Sequence, residues 1–345
     1  MTPYSTAERI LSLLNLLTIA LISGGESSER RVSLESGDQV FDALDKNKYH
    51  ILRYDPKTDL ARLISDAPGI DAALIILHGQ FGEDGTIQGL LDLLDIPYQG
   101  SGVLGSALAM NKLVSKEMFE KNGLRVSPFL VALKGEPFNI DQAVQQLGLP
   151  LVVKPAVGGS SIGMSLVKSP NALSEAIEKA HAHDRCALVE SFLPGTELTC
   201  AVVGNELLET YPVVEIRPGD EYEFFDFDAK YTPGATIEIC PAQIPESVSA
   251  VVQSAAITAH KALCCRGYSR TDFIWSNDLL YVIETNTIPG MTRTSLLPQS
   301  AEAAGVSFSS LLDRLIFLSL EDFNMKCVFK DLQRRERISL ALSSL

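Results

Sequence analysis

Basic residues are scarce in this chain. Across 345 residues, 29 Lys and Arg stand against 43 Asp and Glu, a net charge of −14. That balance argues against nucleic acid or an anionic membrane surface as a partner, since both require a concentrated positive face. Cysteine is sparse as well. The six thiols, at 186, 200, 240, 264, 265 and 327, lack metal-ligand spacing, and Cys264 and Cys265 are adjacent. They read as reduced thiols of a cytosolic protein. Internal repeats and low-complexity tracts are missing too, so a repeat array is excluded. The apolar run ILSLLNLLTIALISGG, from residue 10, has signal-peptide length. It is short for a membrane span, and Arg9 is its sole basic flank. A cleaved signal would cut beside Gly24-Gly25 or remove it. The structural reading makes TIALIS a buried first strand, preceded by a short helix or apolar lead-in.

What the chain does carry is concentrated between Arg266 and Ser295, RGYSRTDFIWSNDLLYVIETNTIPGMTRTS. FIW and LLYVI are apolar, β-branched and aromatic runs separated by SND, a pattern that predicts a hairpin of two strands. Asp272 sits at the mouth of the first. Glu284 and Asn286, two apart at the end of the second, point to one face. Three oxygen donors gathered there suit Mg²⁺, which takes its remaining ligands from water and substrate phosphates. A hairpin that simply ends in polar loop residues is the bland alternative.

A second element precedes it. Residues 149–167, LPLVVKPAVGGSSIGMSLV, read as a strand ending in Lys154-Pro155, a Gly/Ser loop and another strand. Gly158, Gly159 and Gly163 let the backbone fold over an anion, Ser160 and Ser161 add hydroxyl donors, and Lys154 puts a point charge on a phosphate. No GK[ST] follows and a strand comes next, so this is neither a Walker A loop nor a dinucleotide fingerprint. A flexible turn is the alternative.

Upstream, 18–23 and 73–77 (ALIIL) read as buried parallel strands alternating with helical stretches near 33–46 and 84–95. This pattern predicts a small doubly wound domain, with Gly24-Gly25 and His78-Gly79 at the carboxyl ends of its strands. The length calls for two or three domains.

These stretches resemble the D-alanine–D-alanine ligase family of the ATP-grasp superfamily. The resemblance is carried by KPAVGGSSIGMSLV, VESFLPGTELTCAVVG, FDFDAKYTPGAT, CPAQIP, GYSRTDFIW and ETNTIPGMTRTSLLP. Upstream it continues through GGESSERRVSLESG at 24–37, HGQFGEDGTIQGLLDLLDIPYQGSG at 78–102 and MNKLVSK at 110–116. The blocks stand in family order from about residue 18 to about 320. The lead-in and the tail after about 322 lie outside.

The resemblance implies an α/β fold with an α+β clamp. It would comprise an N-terminal α/β domain (1–111), a central ATP-grasp domain (112–205), a C-terminal ATP-grasp domain with the metal site (206–322) and an extension (323–345). It implies ATP-dependent joining of two D-alanines through a D-alanyl phosphate, for peptidoglycan precursors, by a cytoplasmic homodimer. Lys112 and Lys154 would hold phosphates, with Gly159, Ser161 and Lys230 also at the nucleotide. Glu190 with Ser191, Phe192 and Leu193 would meet adenine, partly through the backbone, and Glu197 the ribose. Asp272, Glu284 and Asn286 would bind two Mg²⁺ or Mn²⁺. Arg270 and the Gly290 N–H would stabilise the tetrahedral oxyanion. Glu29 would pair with the first D-alanine's ammonium in a pocket lined by Val32 and His78, and Ser295 and Leu296 would take the second carboxylate.

Glu29, Ser160 and Tyr231 would form a set that orients the first subsite. Tyr231 favours an amine over D-lactate as second substrate. Glu29 as a first-turn helix carboxylate, His78 as a core histidine and Tyr231 as a surface aromatic are the bland alternatives. Thr285 departs from the family's usual aliphatic or small residue and is expected to point away from the metal face. A nucleotide clamp that has lost ligation is the rival reading. It is opposed by the presence of Arg270, Asp272, Glu284, Asn286 and Ser295.

Overall fold

A computed structural model describes residues 16–159, 161–219 and 236–326. Ser160, Lys230, Tyr231, most of the apolar lead-in and the tail from 327 lie outside them. The first strands are β1 (Leu17–Ser23), β2 (Tyr49–Tyr54) and β3 (Ala72–Ile76), a parallel sheet in the order β2-β1-β3. LTIALIS and AALII are continuous aliphatic runs because both faces of the sheet are covered; β3 is buried throughout. Between and after the strands come α1 (Arg30–Ala43), α2 (Pro56–Asp66) and α3 (Thr86–Leu93). Asp55 starts α2 by accepting the Lys57 N–H, and Pro56 occupies its first turn. In this strand order the chain leaves β1 toward one neighbour and returns on its other side. The crevice at the carboxyl ends of β1 and β3 is therefore open to a ligand. Gly24, Gly25, His78 and Gly79 stand there, as expected.

Two helices, α4 (Val103–Met110) and α5 (Lys112–Lys121), lead into an antiparallel sheet. Its strands are β4 (Phe129–Leu133), β5 (Leu151–Pro155), β6 (Ser165–Val167) and β7 (Cys186–Ser191), in the order β4-β7-β5-β6. Helices α6 (Ile140–Leu147) and α7 (Leu173–His181) seal it with Ala143, Leu173, Ile177 and Ala180 against Leu151, Val153 and Val189.

The third sheet is built from β8 (Thr196–Gly204), β9 (Glu209–Thr210), β10 (Val214–Pro218), β11 (Thr236–Ile239), β12 (Gly267–Ser276) and β13 (Leu279–Asn286). Its order is β11-β10-β8-β12-β13, with β9 also paired to β8. The hairpin expected from FIW-SND-LLYVI is β12–β13, turned at Asn277 and Asp278, both at positive φ. It is longer than expected. Because β12 begins at Gly267, Asp272 lies in mid-strand opposite Glu284 rather than at a strand mouth. Apolar patterning missed this portion, since Ser269, Arg270 and Thr271 are polar yet buried. The strand Thr196–Gly204, inside the expected 112–205 segment, hydrogen-bonds wholly within the six-stranded sheet.

The chain returns through α8 (Glu246–Ala262), α9 (Leu296–Ala303) and α10 (Phe308–Lys326). Leu311, Leu312, Leu315 and Ile316 of α10 join Leu21, Leu74 and Ile76 of the first sheet in one core, and Asp313 bonds Lys48 and Tyr49. Helix α10 thus fastens the first sheet to the rest. Among the described residues, no single helix is long and apolar enough to cross a membrane.

Helix α8 places Val252, Ala256 and Ala259 in the core, and beside them buries His260, whose Nδ1 is 2.7 Å from Ser269 Oγ. Burial, with Lys261 alongside, pushes the imidazole pKa down to about 4. Between about pH 6.5 and pH 4 the unfolded histidine takes a proton that the folded one refuses, so stability falls as pH falls through that window. The contribution approaches about 1.4 kcal/mol per pH unit. Urea titrations at a series of pH values should show this decline, and His260→Gln should flatten it; an equally steep decline in the variant would disprove it.

Candidate active site

The four- and six-stranded sheets face each other across a cleft with about 1080 Å³ of empty space. Val152, Ile162, Met164, Phe192, Leu193, Ile274 and Ile283 give it apolar walls, and Lys112, Lys154, Glu190, Glu197, Asp272 and Glu284 supply its charge. An apolar slot ending in lysines and carboxylates suits a flat heterocycle carrying phosphates.

Each lysine is anchored. Asn111 caps α5 by accepting the N–H groups of Leu113 and Val114, which fixes where Lys112 starts. Lys112 then donates from its backbone N–H to Ala156 O, and from Nζ to Gly158 O at 2.5 Å, and stands 3.3 Å from Glu284 Oε2. It thereby ties the glycine loop to the second carboxylate. Lys154, at the end of β5, is 3.0 Å from Glu190 Oε1. Burial alone would raise the Glu190 pKa, but the Lys154 and Lys116 charges and a bond from Ser127 outweigh it and hold it near about 2.

At the end of β7 the Ser191 and Phe192 N–H groups donate to Pro128 O and Pro150 O, and the Ser191 hydroxyl to Leu147 O. Those groups are already engaged, and Phe192 and Leu193 offer the cleft apolar surface instead.

On β12, Arg270 and Asp272 are two apart and share a face. Arg270 Nε and Nη2 donate to the two Asp272 oxygens at 2.9 Å each. Thr199 Oγ1 donates to Asp272 Oδ1 at 2.6 Å and Asn286 Nδ2 to Oδ2 at 3.0 Å. Thr285 turns away, as expected, and hydrogen-bonds Thr271. Asp272, Glu284 and Asn286 thus stand on paired strands as two carboxylates and an amide, a hard-oxygen set that fits Mg²⁺. Among the described residues no group of three His, Cys, Asp or Glu is arranged to hold a metal. A metal held by this set would take its remaining ligands from water and substrate phosphates.

A second cavity, with about 1720 Å³ of empty space, opens beside the first. Glu29, Val32, His78, Arg270, Asn286, Gly290, Ser295 and Leu296 all line it, so residues scattered over the chain converge on one cavity. The Glu29 carboxylate lies between the first sheet and the glycine loop. A Cβ on Gly79, at φ +70°, would sit 2.7 Å from Glu29 Oε2, and one on Gly159 3.2 Å from it. Side chains there would displace the carboxylate. The Ser295 hydroxyl accepts the Thr292 N–H at 3.1 Å and lies 2.7 Å from Thr292 Oγ1. Leu296 begins α9, whose first N–H groups lack helical partners and favour an anion.

The sequence reading missed Lys116, Ser127 and Thr199. Lys116 is one helical turn after Lys112, which was the available signal. Its partners come from distant segments and left none.

The residues from 55 to 101 match the model of the D-ala D-ala ligase N-terminus, and those from 118 to 317 that of the D-ala D-ala ligase C-terminus. The D-alanine–D-alanine ligase of Syntrophobacter fumaroxidans is 59% identical over 306 residues, 89% of this chain and 98% of that one. That of Desulfotalea psychrophila is 57% identical over 309 residues, 88% of this chain and 95% of that one. Among solved structures, the Bacillus anthracis D-alanine–D-alanine ligase complexed with ATP is 37% identical with a TM-score of 0.79 and covers 90% of this chain and 99% of its own. The VanG D-Ala:D-Ser ligase of Enterococcus faecalis is 32% identical, with a TM-score of 0.75, over 88% of this chain and 99% of its own.

The Arg270–Asp272 pair makes a stability prediction. Asp272→Ala leaves a buried guanidinium without its carboxylate and should destabilise the fold by about 3–5 kcal/mol in urea unfolding. A loss below about 1 kcal/mol would mean that the pair is solvated and the site far looser than described.

Proposed function

Since the chain belongs to the D-alanine–D-alanine ligase family, we propose that it joins two D-alanines into D-alanyl-D-alanine while converting ATP to ADP and phosphate. The product is a peptidoglycan precursor. The observation that carries this reading is the junction of the two cavities: Lys112, Gly158, Gly159 and Glu284 line both. A γ-phosphoryl group in the first cavity would meet a carboxylate in the second at that junction, and phosphoryl transfer depends on such positioning.

The chemistry follows in two stages. The carboxylate oxygen of the first D-alanine attacks the γ-phosphorus, forming D-alanyl phosphate and releasing ADP. The deprotonated amine of the second attacks the acyl carbon, and phosphate leaves from the tetrahedral intermediate. Lys112 and Lys154 hold phosphates, with Lys230, Ser161 and the Gly159 backbone completing the cradle. Lys154 gives up Glu190 for phosphate, while the Glu190–Leu193 edge receives adenine and Glu197 the ribose. Asp272, Glu284 and Asn286 are the residues that would hold Mg²⁺ or Mn²⁺, two ions by family resemblance, and a metal there would draw charge off the phosphates.

Glu29 pairs with the first ammonium beside Val32 and His78, and with Ser160 and Tyr231 orients that substrate. Arg270 and the Gly290 N–H neutralise the oxyanion. Ser295 Oγ and the Leu296 N–H take the second carboxylate, where the start of α9 favours it. Three domains are proposed, one built around each sheet. The boundary between the second and third is best placed at 192–195, before β8, rather than at 205. The reading assigns the chain to the cytoplasm, where its nucleotide is made.

The test is ADP release from ATP and Mg²⁺ with D-alanine, then with D-alanine plus D-lactate or D-serine, with products identified by mass. D-alanyl-D-alanine is expected. A depsipeptide or a mixed dipeptide would reassign the second subsite, and turnover independent of D-alanine would refute ligation. The family's dimeric assembly is expected here as well, and a monomer mass by light scattering at micromolar protein would refute that.

A further inference from the structure

Lys116 has no accessible surface, yet it is a lysine. One turn beyond Lys112 on α5, it points inward behind the nucleotide cavity. Its Nζ donates to Ser127 Oγ at 2.9 Å, stands 3.2 Å from Glu190 Oε2 and lies 5.2 Å from the centroid of the Phe129 ring. Ser127 in turn donates to Glu190 Oε2 at 2.7 Å, and the other Glu190 oxygen holds Lys154. One buried carboxylate therefore carries two lysines. Lys154 lines the cavity and Lys116 does not.

We propose that Lys116 is a positioning residue of the nucleotide site: it neutralises Glu190 from behind, so that Lys154 can leave that carboxylate for a phosphate. The inference rests on the nucleotide reading of the first cavity. A buried anion must keep a compensating cation. With Lys116 in place, transfer of Lys154 to a phosphate still leaves Glu190 paired and hydrogen-bonded. Without it, the same movement strands the carboxylate, and Lys154 stays where it is. Burial draws the Lys116 pKa down, and the Glu190 carboxylate 3.2 Å away pulls against that shift.

Lys116→Met removes the charge and keeps most of the side-chain length. Calorimetry with a non-hydrolysable ATP analogue should show Kd raised at least about tenfold, and KM for ATP should rise in parallel. KM for D-alanine and kcat at saturating ATP should stay within about threefold, a split that a general loss of structure would not produce. Lys116→Met/Glu190→Gln removes the anion together with its counter-charge, and it should bind the analogue more tightly than Lys116→Met alone. Should the single variant fail to fold, Glu190→Gln is compared with the double variant, and their affinities for the analogue must agree within about threefold, because neither holds an anion for Lys116 to neutralise; a further loss in the double variant overturns the inference. Equal affinity of Lys116→Met and wild type overturns it too, as does a double variant no better than the single. A wild-type chain that binds no ATP overturns both this inference and the reading beneath it.

Discussion

Arg270 and Asp272 share two hydrogen bonds of 2.9 Å beside the cleft proposed to receive the nucleotide. Among the described residues the same motif recurs at both lysines lining the nucleotide cleft: Lys154 is held by Glu190, and Lys112 by Glu284. On a chain of net charge −14, cations gathered for a phosphate need local anions to keep them in place before it arrives. Such pairs are not net stabilisers by default, because desolvation offsets much of their attraction. Their value is geometric: each holds a long side chain in one orientation, and under the proposed function would surrender it to a phosphate. Recognition then becomes an exchange of partners rather than the ordering of free lysines, which lowers the entropy lost on binding.

The three sheets exist in this arrangement to make those exchanges meet. The parallel sheet presents Glu29 and His78 at its carboxyl edge, the four-stranded sheet presents Lys154, and the six-stranded sheet presents Arg270, Asp272 and Glu284. No one sheet contains a working site. Helix α10 fastens the first sheet through a shared core, and Lys112 joins the glycine loop to the six-stranded sheet. A shift of the four-stranded sheet against the six-stranded one would separate the two cavities at Lys112, Gly158, Gly159 and Glu284.

Much of this was legible in the sequence because it is locally encoded. Continuous aliphatic runs marked β1 and β3, and the apolar runs either side of SND marked the β12–β13 hairpin. The i, i+2 spacing of Glu284 and Asn286 placed two donors on one face. The beginning of β12 was not legible, because its buried residues are polar and their partners lie on β13 and α8. Nor was the membership of β8, since a strand's sheet is decided by pairing and its own residues do not name the neighbour.

By itself the sequence determined the elements, the chemistry available and the family whose pattern those residues match. All of that follows from local periodicity and from side-chain types at short spacing. The tertiary structure alone decided which carboxylate holds which cation. Lys116, Ser127, Lys154 and Glu190 come from four separate segments, and so do Asp272, Thr199, Asn286 and Lys112. Their contacts depend on how strands register and sheets pack, and charge pairing acts over a few ångströms of space whatever the separation along the chain.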